Sequence, residues 1–507
     1  MKAIPVRNYF GRTVLFSNEK VITADNIVDV LQSVLPDFQK NKEETEYLYN
    51  YYRGNQPILK RKKKVRPEIN NRVVENHAHE IVSFKVGYEF GEPVQYVRRA
   101  TNSGKDLLEK PAALENEDME VTSKIALLNE FMFQQDKATK DKDLAESFFV
   151  CGTAYRMVLP PETEVDEGES PFEIDTLDAR YTAIVYYKGF GKKPLMSIQE
   201  VEKADKTIMY CCYTGDTYYE ISEDTILYSE GHLLGYIPII EYPANNSRIG
   251  AFELVMSLLD QINNAESNRI DGIEQFIQAF MKFINVRIDK ESFDELKEMG
   301  AISFKSDPQT PADIDIVSSE LNQQQVQTVI DHLYQMVLII CGMPDRNGTN
   351  RTTGDTGQAV ILRDGWSAAA AKAKDTEGMF KQSEKRFLRL VLKLVKDAED
   401  IDIRLSDIDV KLRPCNTDNL LTKTQGLQNM LEAGIHPQIA ITTCGLFGDP
   451  EQVYIDSLPY IRNKWKTKDE ADADNPILNG TVEGGDDEGN ANKGVVPPNN
   501  KPNPTEE

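Results

Sequence analysis

The sequence is poor in the features that mark disulfide-rich, membrane-spanning or secreted proteins. Its six cysteines form no C-x-x-C pair and show no regular spacing, which argues against a disulfide framework and a zinc ribbon. The longest apolar run, around Met336–Cys341, is far shorter than the ~20 residues of a membrane-spanning helix, and no apolar signal core follows Met1. We therefore expect buried free thiols and a soluble, cytosolic chain without a membrane partner. The cysteines are Cys151, Cys211, Cys212, Cys341, Cys415 and Cys444.

Positive charge is also scarce. The chain has 58 basic and 82 acidic residues, which gives a formal net charge of -24. This balance argues against a protein that coats nucleic acid through a broad basic face, but it does not exclude DNA passing nearby. The 507 residues, 40% of them hydrophobic, leave room for about three domains of ~150 residues.

Familiar catalytic and phosphate-binding motifs are absent, including G-x-S-x-G, H-E-x-x-H and G-x-G-x-x-G. The fragment nearest to a Walker motif, Gly189–Pro194, lacks the hydroxyl residue and the spacing that phosphate and magnesium require, so we predict a hairpin turn there. His77 and His79 would point in different directions on a helix, which disfavours a metal site. Carboxylates are too abundant for a catalytic pair to stand out. We expect no enzyme activity, no cofactor and no metal.

The first half of the chain has the pattern of an α+β region. Apolar spacing predicts two short helices within residues 24–52, a helix after Asn70 and a helix over 121–149. Segments rich in tyrosine and β-branched residues, separated by Gly and Asp turns, predict strands. These strands are expected at 154–159, 181–187, 207–210 and 217–221.

The next part is predicted to be helical. A long helix with a polar middle follows Gly250, and a small strand-containing insert at 283–317 separates it from a second helix over 321–340. The polar loop 342–357 then leads to one helix from 358 to about 399. We expect that long helix to bend at its glycines, Gly365 and Gly378.

The remaining residues are predicted to contain one strand and several short helices. Residues 401–412 alternate as a strand does, and helical patterns follow as far as Trp465. From Lys466 the chain is made of Asp, Glu, Asn, Gly and Pro, so we expect a disordered acidic tail over 466–507.

Two loops are candidate contact sites. The densest positive charge lies in an expected exposed loop that follows a Gly54/Pro57 turn, at Lys60, Arg61, Lys62, Lys63 and Lys64. It could contact phosphate. A solvated loop or a contact with an acidic neighbouring subunit is favoured, because no aromatic residues alternate with the lysines to stack on bases.

The polar loop 342–357 is the second candidate. Long structureless loops in compact proteins are uncommon and usually functional. Arg346 and Arg351 lie among small residues between two long helices, which suits a mobile element facing a cavity or channel, although a plain solvent loop is the alternative.

Taken together, these segments resemble the portal protein family of tailed double-stranded DNA bacteriophages, in its siphophage-type branch. Asn70–Tyr96 is similar to the family pattern N-R-[IV]-x-x-N…V-x-x-x-x-G-Y-x-x-G-x-P-V-x-Y. The order of elements over 247–399 is similar as well. Asp407–Arg413, followed by a helix and a Gly-x-x-Pro turn, extends the likeness, with His436 in place of the family's serine. The resemblance covers about residues 40–462.

The resemblance implies a portal-type α+β fold, assembled as a ring. The implied parts are an α+β wing (1–245), a stem helix (246–281), a small α/β clip insert (282–318) and a second stem helix (319–341). They continue with a tunnel loop (342–357), a long helix and wing strand (358–416), a helical crown (417–465) and the acidic tail (466–507). The implied tunnel-loop residues facing DNA are Arg346, Asn347, Asn350, Arg351 and Thr352.

The implied function is a channel at one capsid vertex through which DNA is packaged and ejected. The ring would have twelve subunits in the virion and possibly thirteen when isolated. Implied partners are double-stranded DNA, the terminase large subunit, a head-completion or adaptor protein, and the major capsid and scaffold proteins. The protein would be found in the virion, and in the host cytoplasm during assembly.

The residues agree with this interpretation at three points. An acidic wall repels DNA phosphates, which suits a conduit through which DNA slides. The missing Walker motif fits dependence on a separate motor, and the polar middles of the long helices suit helices that line a channel. The alternatives are another head-assembly protein, such as a scaffold or minor capsid component, and an enzyme. The tyrosine-rich strands count against a scaffold, and no set of catalytic carboxylates supports an enzyme.

Overall fold

The chain forms a mixed helix and sheet structure that divides into two compact units, residues 1–422 and residues 423–507. The computed structural model describes residues 11–99, 112–161, 163, 166, 168–277, 280–284, 313–317, 323–345, 365–414, 420–447 and 450–465. The α+β class expected from the sequence is confirmed.

Helices account for about half of the described residues. The first unit contains α1 (Ile27–Tyr52), α2 (His77–Glu89), α3 (Ala112–Gln134), α4 (Lys137–Cys151), α5 (Met256–Ile277), α6 (Gln323–Cys341) and α7 (Trp366–Glu399). It is followed by α8 (Leu420–Glu432), α9 (Pro437–Cys444) and α10 (Pro450–Trp465). Among the described residues, no helix is both long enough and apolar enough to cross a membrane.

The described strands form four sheets. They are β1 (Leu15–Ser17), β2 (Gln95–Arg98), β3 (Thr153–Leu159), β4 (Glu173–Leu177), β5 (Thr182–Tyr187), β6 (Pro194–Glu202), β7 (Ile208–Tyr213), β8 (Thr217–Ser222), β9 (Thr225–Gly231), β10 (Ile239–Pro243), β11 (Phe280–Ile284), β12 (Asp313–Val317) and β13 (Ile408–Lys411). The largest sheet has the order β1-β5-β6-β7-β8-β9, and it is antiparallel except for the β1–β5 pair. The other sheets are β10-β3-β4, β11-β12 and β13-β2.

The four strand segments predicted from tyrosine and β-branched residues are confirmed as β3, β5, β7 and β8. The predicted strand at 401–412 is shorter than expected. Within 401–412 only Ile408–Lys411 forms a paired strand, and Leu405–Asp407 before it forms a 3-10 turn. β13 pairs with β2, so the end of the family-like segment Asn70–Tyr96 lies beside the family-like segment Asp407–Arg413.

The two short helices predicted over 24–52 are one continuous helix, despite Pro36. The N-terminal half of α1 packs Val34 and Phe38 on the six-stranded sheet, whereas its C-terminal half packs Leu48 and Tyr51 into the main core. Burial in two cores therefore outweighs the hydrogen bond that the proline removes.

The single helix predicted over 121–149 is instead two helices. The chain turns at Asp136, which has a left-handed backbone with φ of 48° and separates α3 from α4. The long helix predicted from 358 begins at Trp366, after Gly365 with φ of 84°. Residues 358–364 lie outside the described residues. Gly378 lies inside the unbroken 34-residue helix, which is about 51 Å long.

The expectation of free cysteines is confirmed for the described ones. Cys151, Cys211, Cys212 and Cys341 are buried and unpaired, and Cys444 is half-buried and unpaired. Cys415 lies outside the described residues. Burial raises the pKa of the Cys341 thiol to about 11, so it is an inert apolar group and not a nucleophile.

In the second unit the predicted short helices are confirmed as α9 and α10. The Gly434 turn leads to His436, whose Nδ1 accepts a hydrogen bond from the Gln438 N–H at 3.3 Å. The histidine therefore caps the helix, as a serine would. His436 also packs against Tyr454 with ring centroids 5.7 Å apart. The tail 466–507 lies outside the described residues.

Candidate functional site

The long helix α5 is bonded along one side to an earlier part of the chain. An extended segment, residues 69–76, which we name the strap, runs along α5 without secondary structure of its own. Side chains of α5 accept hydrogen bonds from alternate main-chain N–H groups of the strap. These bonds join Asn71 to Asp271 (2.7 Å), Val73 to Ser267 (3.0 Å) and Glu75 to Asn263 (2.8 Å).

Every second residue of the strap bonds to about every fourth residue of α5, and these two spacings match in length. Two residues of an extended chain advance about 6.6 Å, and four residues of an α-helix advance about 6.0 Å. Strap numbering rises while α5 numbering falls, so the two segments run antiparallel. The ladder satisfies strap N–H groups that have no sheet partner.

This ladder accounts for part of the polar middle of α5, which the sequence alone suggests as a channel lining. Asn263, Glu266, Ser267 and Asp271 are buried. Three of them bind the strap, and only the opposite side of the helix is left for other contacts. Sequence patterns could not reveal this, because the partners lie about two hundred residues away in the chain.

The electrostatics of α5 vary along its length. Burial raises the pKa of Asp260, although its hydrogen bond with Tyr51 opposes the shift. Burial also acts to raise the pKa of Asp271, but hydrogen bonds from Asn71 and Lys63 outweigh it and hold the pKa below its usual value. Asp271 is therefore a permanent anion at neutral pH.

The predicted basic loop, Lys60–Lys64, packs against the same helix, α5. Arg61 Nη1 and Lys63 Nζ each lie 3.0 Å from Asp271 Oδ2, and Arg61 Nη1 also donates to the Asn71 carbonyl at 3.0 Å. Lys60, Lys62 and Lys64 are exposed. The expectation of an exposed loop is therefore confirmed for these three residues and is wrong for Arg61 and Lys63, which are half-buried against α5.

Asn76 closes the other end of the strap. Its side chain caps α2 by accepting from the His79 N–H at 3.4 Å, and it donates to the Tyr52 carbonyl at 2.8 Å. Gln56 donates to Asn76 Oδ1 at 3.1 Å. The two asparagines of the sequence motif, Asn71 and Asn76, thus fix the strap at both ends.

The histidines of the motif do not approach each other as ligands would. His77 lies between Glu75 (3.0 Å) and Glu80 (2.8 Å), and its ring packs on Tyr334 of α6 at a centroid distance of 4.6 Å. His79 stacks on Tyr52 instead. Within the described part of the chain, no cluster of three or more His, Cys, Asp or Glu side chains could hold a metal ion.

The polar loop has a fixed base. Met343 and Pro344, which follow α6, lie against Gly365, where a Cβ would be 3.8 Å from Pro344 Cα. Trp366 packs on Phe84 and Tyr88 of α2 at centroid distances of 6.1 Å and 5.9 Å. The predicted DNA-facing residues lie outside the described residues, namely Arg346, Asn347, Asn350, Arg351 and Thr352.

A buried ionic cluster anchors α7 to the sheet β10-β3-β4 and to β2. Glu384 lies 2.9 Å from Lys137 Nζ and 3.7 Å from Arg156 Nη1, and Tyr242 donates to it at 2.6 Å. Tyr96 of β2 also donates to Glu384. Burial acts to raise the pKa of Glu384, but Lys137 and Arg156 hold it below its usual value. Composition gave no sign of this cluster, because its members are far apart in the sequence.

Comparisons with known proteins place these features in context. A family model described as "Phage portal protein, SPP1 Gp6-like" matches residues 31–453. A solved structure described as "Neck of empty GTA particle computed with C6 symmetry" is 12% identical, with a TM-score of 0.42, over 73% of this chain and 90% of that chain. No curated protein matches the chain.

Proposed function

Because the chain belongs to the phage portal protein family, we propose that its copies form a ring-shaped channel at one capsid vertex, through which double-stranded DNA is packaged and ejected. The family match over residues 31–453 is the observation that carries this proposal. The family is a structural one and not a family of enzymes, and membership makes the protein a component of the virion capsid.

We further propose how the ring is built and what it contacts. It has twelve subunits in the virion and possibly thirteen when isolated. It docks the terminase large subunit and a head-completion or adaptor protein, and it contacts the major capsid and scaffold proteins in the host cytoplasm during assembly. The protein itself is not an enzyme, since no Walker motif is present and DNA movement depends on the separate motor.

The parts of the chain are assigned by the same proposal. The α+β region over 1–245 is the wing, to which α7 and β13 (within 358–416) also belong. Residues 246–281 and 319–341, which contain α5 and α6, form the stem, and 282–318 forms the clip. The crown is 417–465, and 466–507 is the acidic tail. The strap supports this scheme, because it fixes the first stem helix to the wing through main-chain hydrogen bonds.

The loop 342–357 is proposed as the tunnel loop, with Arg346, Asn347, Asn350, Arg351 and Thr352 facing DNA. Its base is held against α2 by Trp366, which supports a loop projecting from a rigid support. Replacing Arg346 and Arg351 by alanine should leave ring assembly intact and impair DNA packaging or retention. Normal packaging by that double variant would contradict the assignment.

Negative-stain electron microscopy of the purified protein tests the main proposal. Class averages down the particle axis should show rings with a central hole and twelve- or thirteen-fold symmetry. Monomers or small closed oligomers that persist at all salt and protein concentrations would refute the proposed channel, because a channel requires the ring.

A further inference from the structure

The basic loop presents its charges in two groups. Arg61 and Lys63 point to α5, and both form an ion pair with Asp271 at 3.0 Å. The alternating residues Lys60, Lys62 and Lys64 are exposed. Exposed lysines therefore alternate along the loop with residues that are held against α5.

The loop is held in place before any partner arrives. Ile58 and Ile69, on either side of it, are buried with 5% and 1% exposure. The Asn70 side chain donates to the Arg61 carbonyl at 3.1 Å, which closes the loop on itself. A fixed loop loses little conformational entropy on binding, so weak contacts made by its lysines contribute more to affinity.

The exposed lysines have no ion-pair partner in the part of the chain that the structure describes. The chain as a whole carries a net charge of -24. A second copy therefore offers an excess of carboxylates to a positive loop, and the complementarity is between different surfaces of the same protein.

Apolar side chains accompany the cations. Val65 is 77% exposed, and Leu59 is also exposed, one at each end of the lysine row. On α5, Ile270 and Ile273 are exposed on either side of Asp271 in sequence. Exposed apolar side chains add little affinity for the phosphate backbone of duplex DNA. Protein interfaces, in contrast, combine an apolar centre with a polar rim.

We infer that Lys60, Lys62 and Lys64 bind an acidic surface on the adjacent copy of this chain, with Asp271 as the residue that positions the loop. The inference rests on the proposed ring and names a contact that holds it. Since the loop and the carboxylates lie on different surfaces, the contact is head-to-tail, which is the type that closes into rings.

The test compares three full-length proteins by mass photometry over a range of sodium chloride concentrations. They are the wild type, the triple variant K60Q/K62Q/K64Q, and a control triple variant K188Q/K193Q/K203Q. The control lysines are exposed on hairpins of the six-stranded sheet and remove the same total charge. Thermal unfolding midpoints establish that all three proteins fold.

Rings of the loop variant should dissociate at lower salt than wild-type or control rings. Three exposed ion pairs lost from each contact weaken it about tenfold. Rings of the triple variant K60E/K62E/K64E should dissociate at still lower salt, because like charges then face each other across the contact.

Each result decides something different. Rings of equal salt stability in all three proteins would overturn the loop contact and leave the proposed channel standing. A wild type that forms no rings would overturn both. If the loop variant keeps its ring stability but loses affinity for a duplex DNA probe in fluorescence anisotropy, the loop is a DNA contact and the inference is wrong.

Discussion

The main-chain N–H of Asn71 donates to Oδ1 of Asp271 at 2.7 Å, across 200 residues of sequence. The Asn71 side chain also donates to Asp271 at 2.9 Å and to Glu274 at 2.8 Å. One asparagine of the sequence motif therefore fixes the end of the strap to α5. The motif is a structural device that joins the first part of the chain to its long helices.

Replacing Asp271 by alanine should destabilise the protein by about 2–3 kcal/mol, because the strap N–H of Asn71 and the cations Arg61 and Lys63 lose their common acceptor. Asp271→Asn keeps an acceptor oxygen for Asn71 and should cost less. The measurement is the thermal unfolding midpoint of each variant. Equal midpoints for wild type and Asp271→Ala would show that the ladder does not need this carboxylate.

Replacing Glu384 by glutamine should destabilise the protein by about 3–5 kcal/mol, because Lys137 and Arg156 then share only Asp141 and one buried positive charge is left uncompensated. The matched control is Glu377→Gln on the same helix. Glu377 pairs with Lys381 at the surface, so its loss should cost at most ~0.5 kcal/mol.

Thermal unfolding at neutral pH separates the two variants. The low pKa of Glu384 also means that its contribution is present above its usual pKa and is lost as the pH falls through the lowered value. Similar midpoints for the two glutamine variants would mean that the buried cluster contributes no more than a surface pair.

Much of the fold could be predicted from the sequence, for a physical reason. Strands such as β3 and β8 are specified by local alternation of β-branched and aromatic side chains, and α7 by a continuous apolar stripe. Local patterns also suggested the helix, insert and helix order around α5 and α6. Membership of the family confirms the resemblance on which the function was predicted.

Three of the errors have a common cause, which is that the deciding partner is distant in sequence. Pro36 does not break α1, because two cores hold that helix on either side. Asp271 belongs to the polar middle of α5, but it is buried by a strap that lies about 200 residues earlier in the chain. Arg61 and Lys63 of the basic loop are held against α5 for the same reason, by Asp271.

His77 should make stability depend on pH. Burial alone would lower its pKa, but hydrogen bonds with Glu75 and Glu80 raise it to about 9. Because the folded pKa is above the ordinary value of ~6.5, the stabilisation is fully present below ~6.5 and is lost as the pH rises through about 9.

Thermal midpoints of wild type and His77→Gln, measured from pH 6 to pH 10, test this. The difference should correspond to roughly 1–2 kcal/mol at the acidic end and should shrink at the alkaline end. His79→Gln is the control for the loss of a neighbouring ring from the same helix, because His79 stacks on Tyr52. A difference between wild type and His77→Gln that does not change from pH 6 to pH 10 would contradict the ion-pair explanation.

Gly152, which ends α4, should not tolerate a side chain. It has φ of +77°, and a Cβ there would overlap the main-chain carbonyl of Arg248, which cannot move aside. Gly168 is a matched control, with φ of +89° and nothing within 4 Å among the described residues. Gly168→Ala should cost only the ~1–2 kcal/mol of left-handed strain, whereas Gly152→Ala should cost a further ~1–3 kcal/mol from overpacking. Thermal unfolding midpoints measure both effects. Equal losses for the two variants would mean that the segment around Arg248 gives way, and that the close approach of Gly152 to it is not what fixes the end of α4.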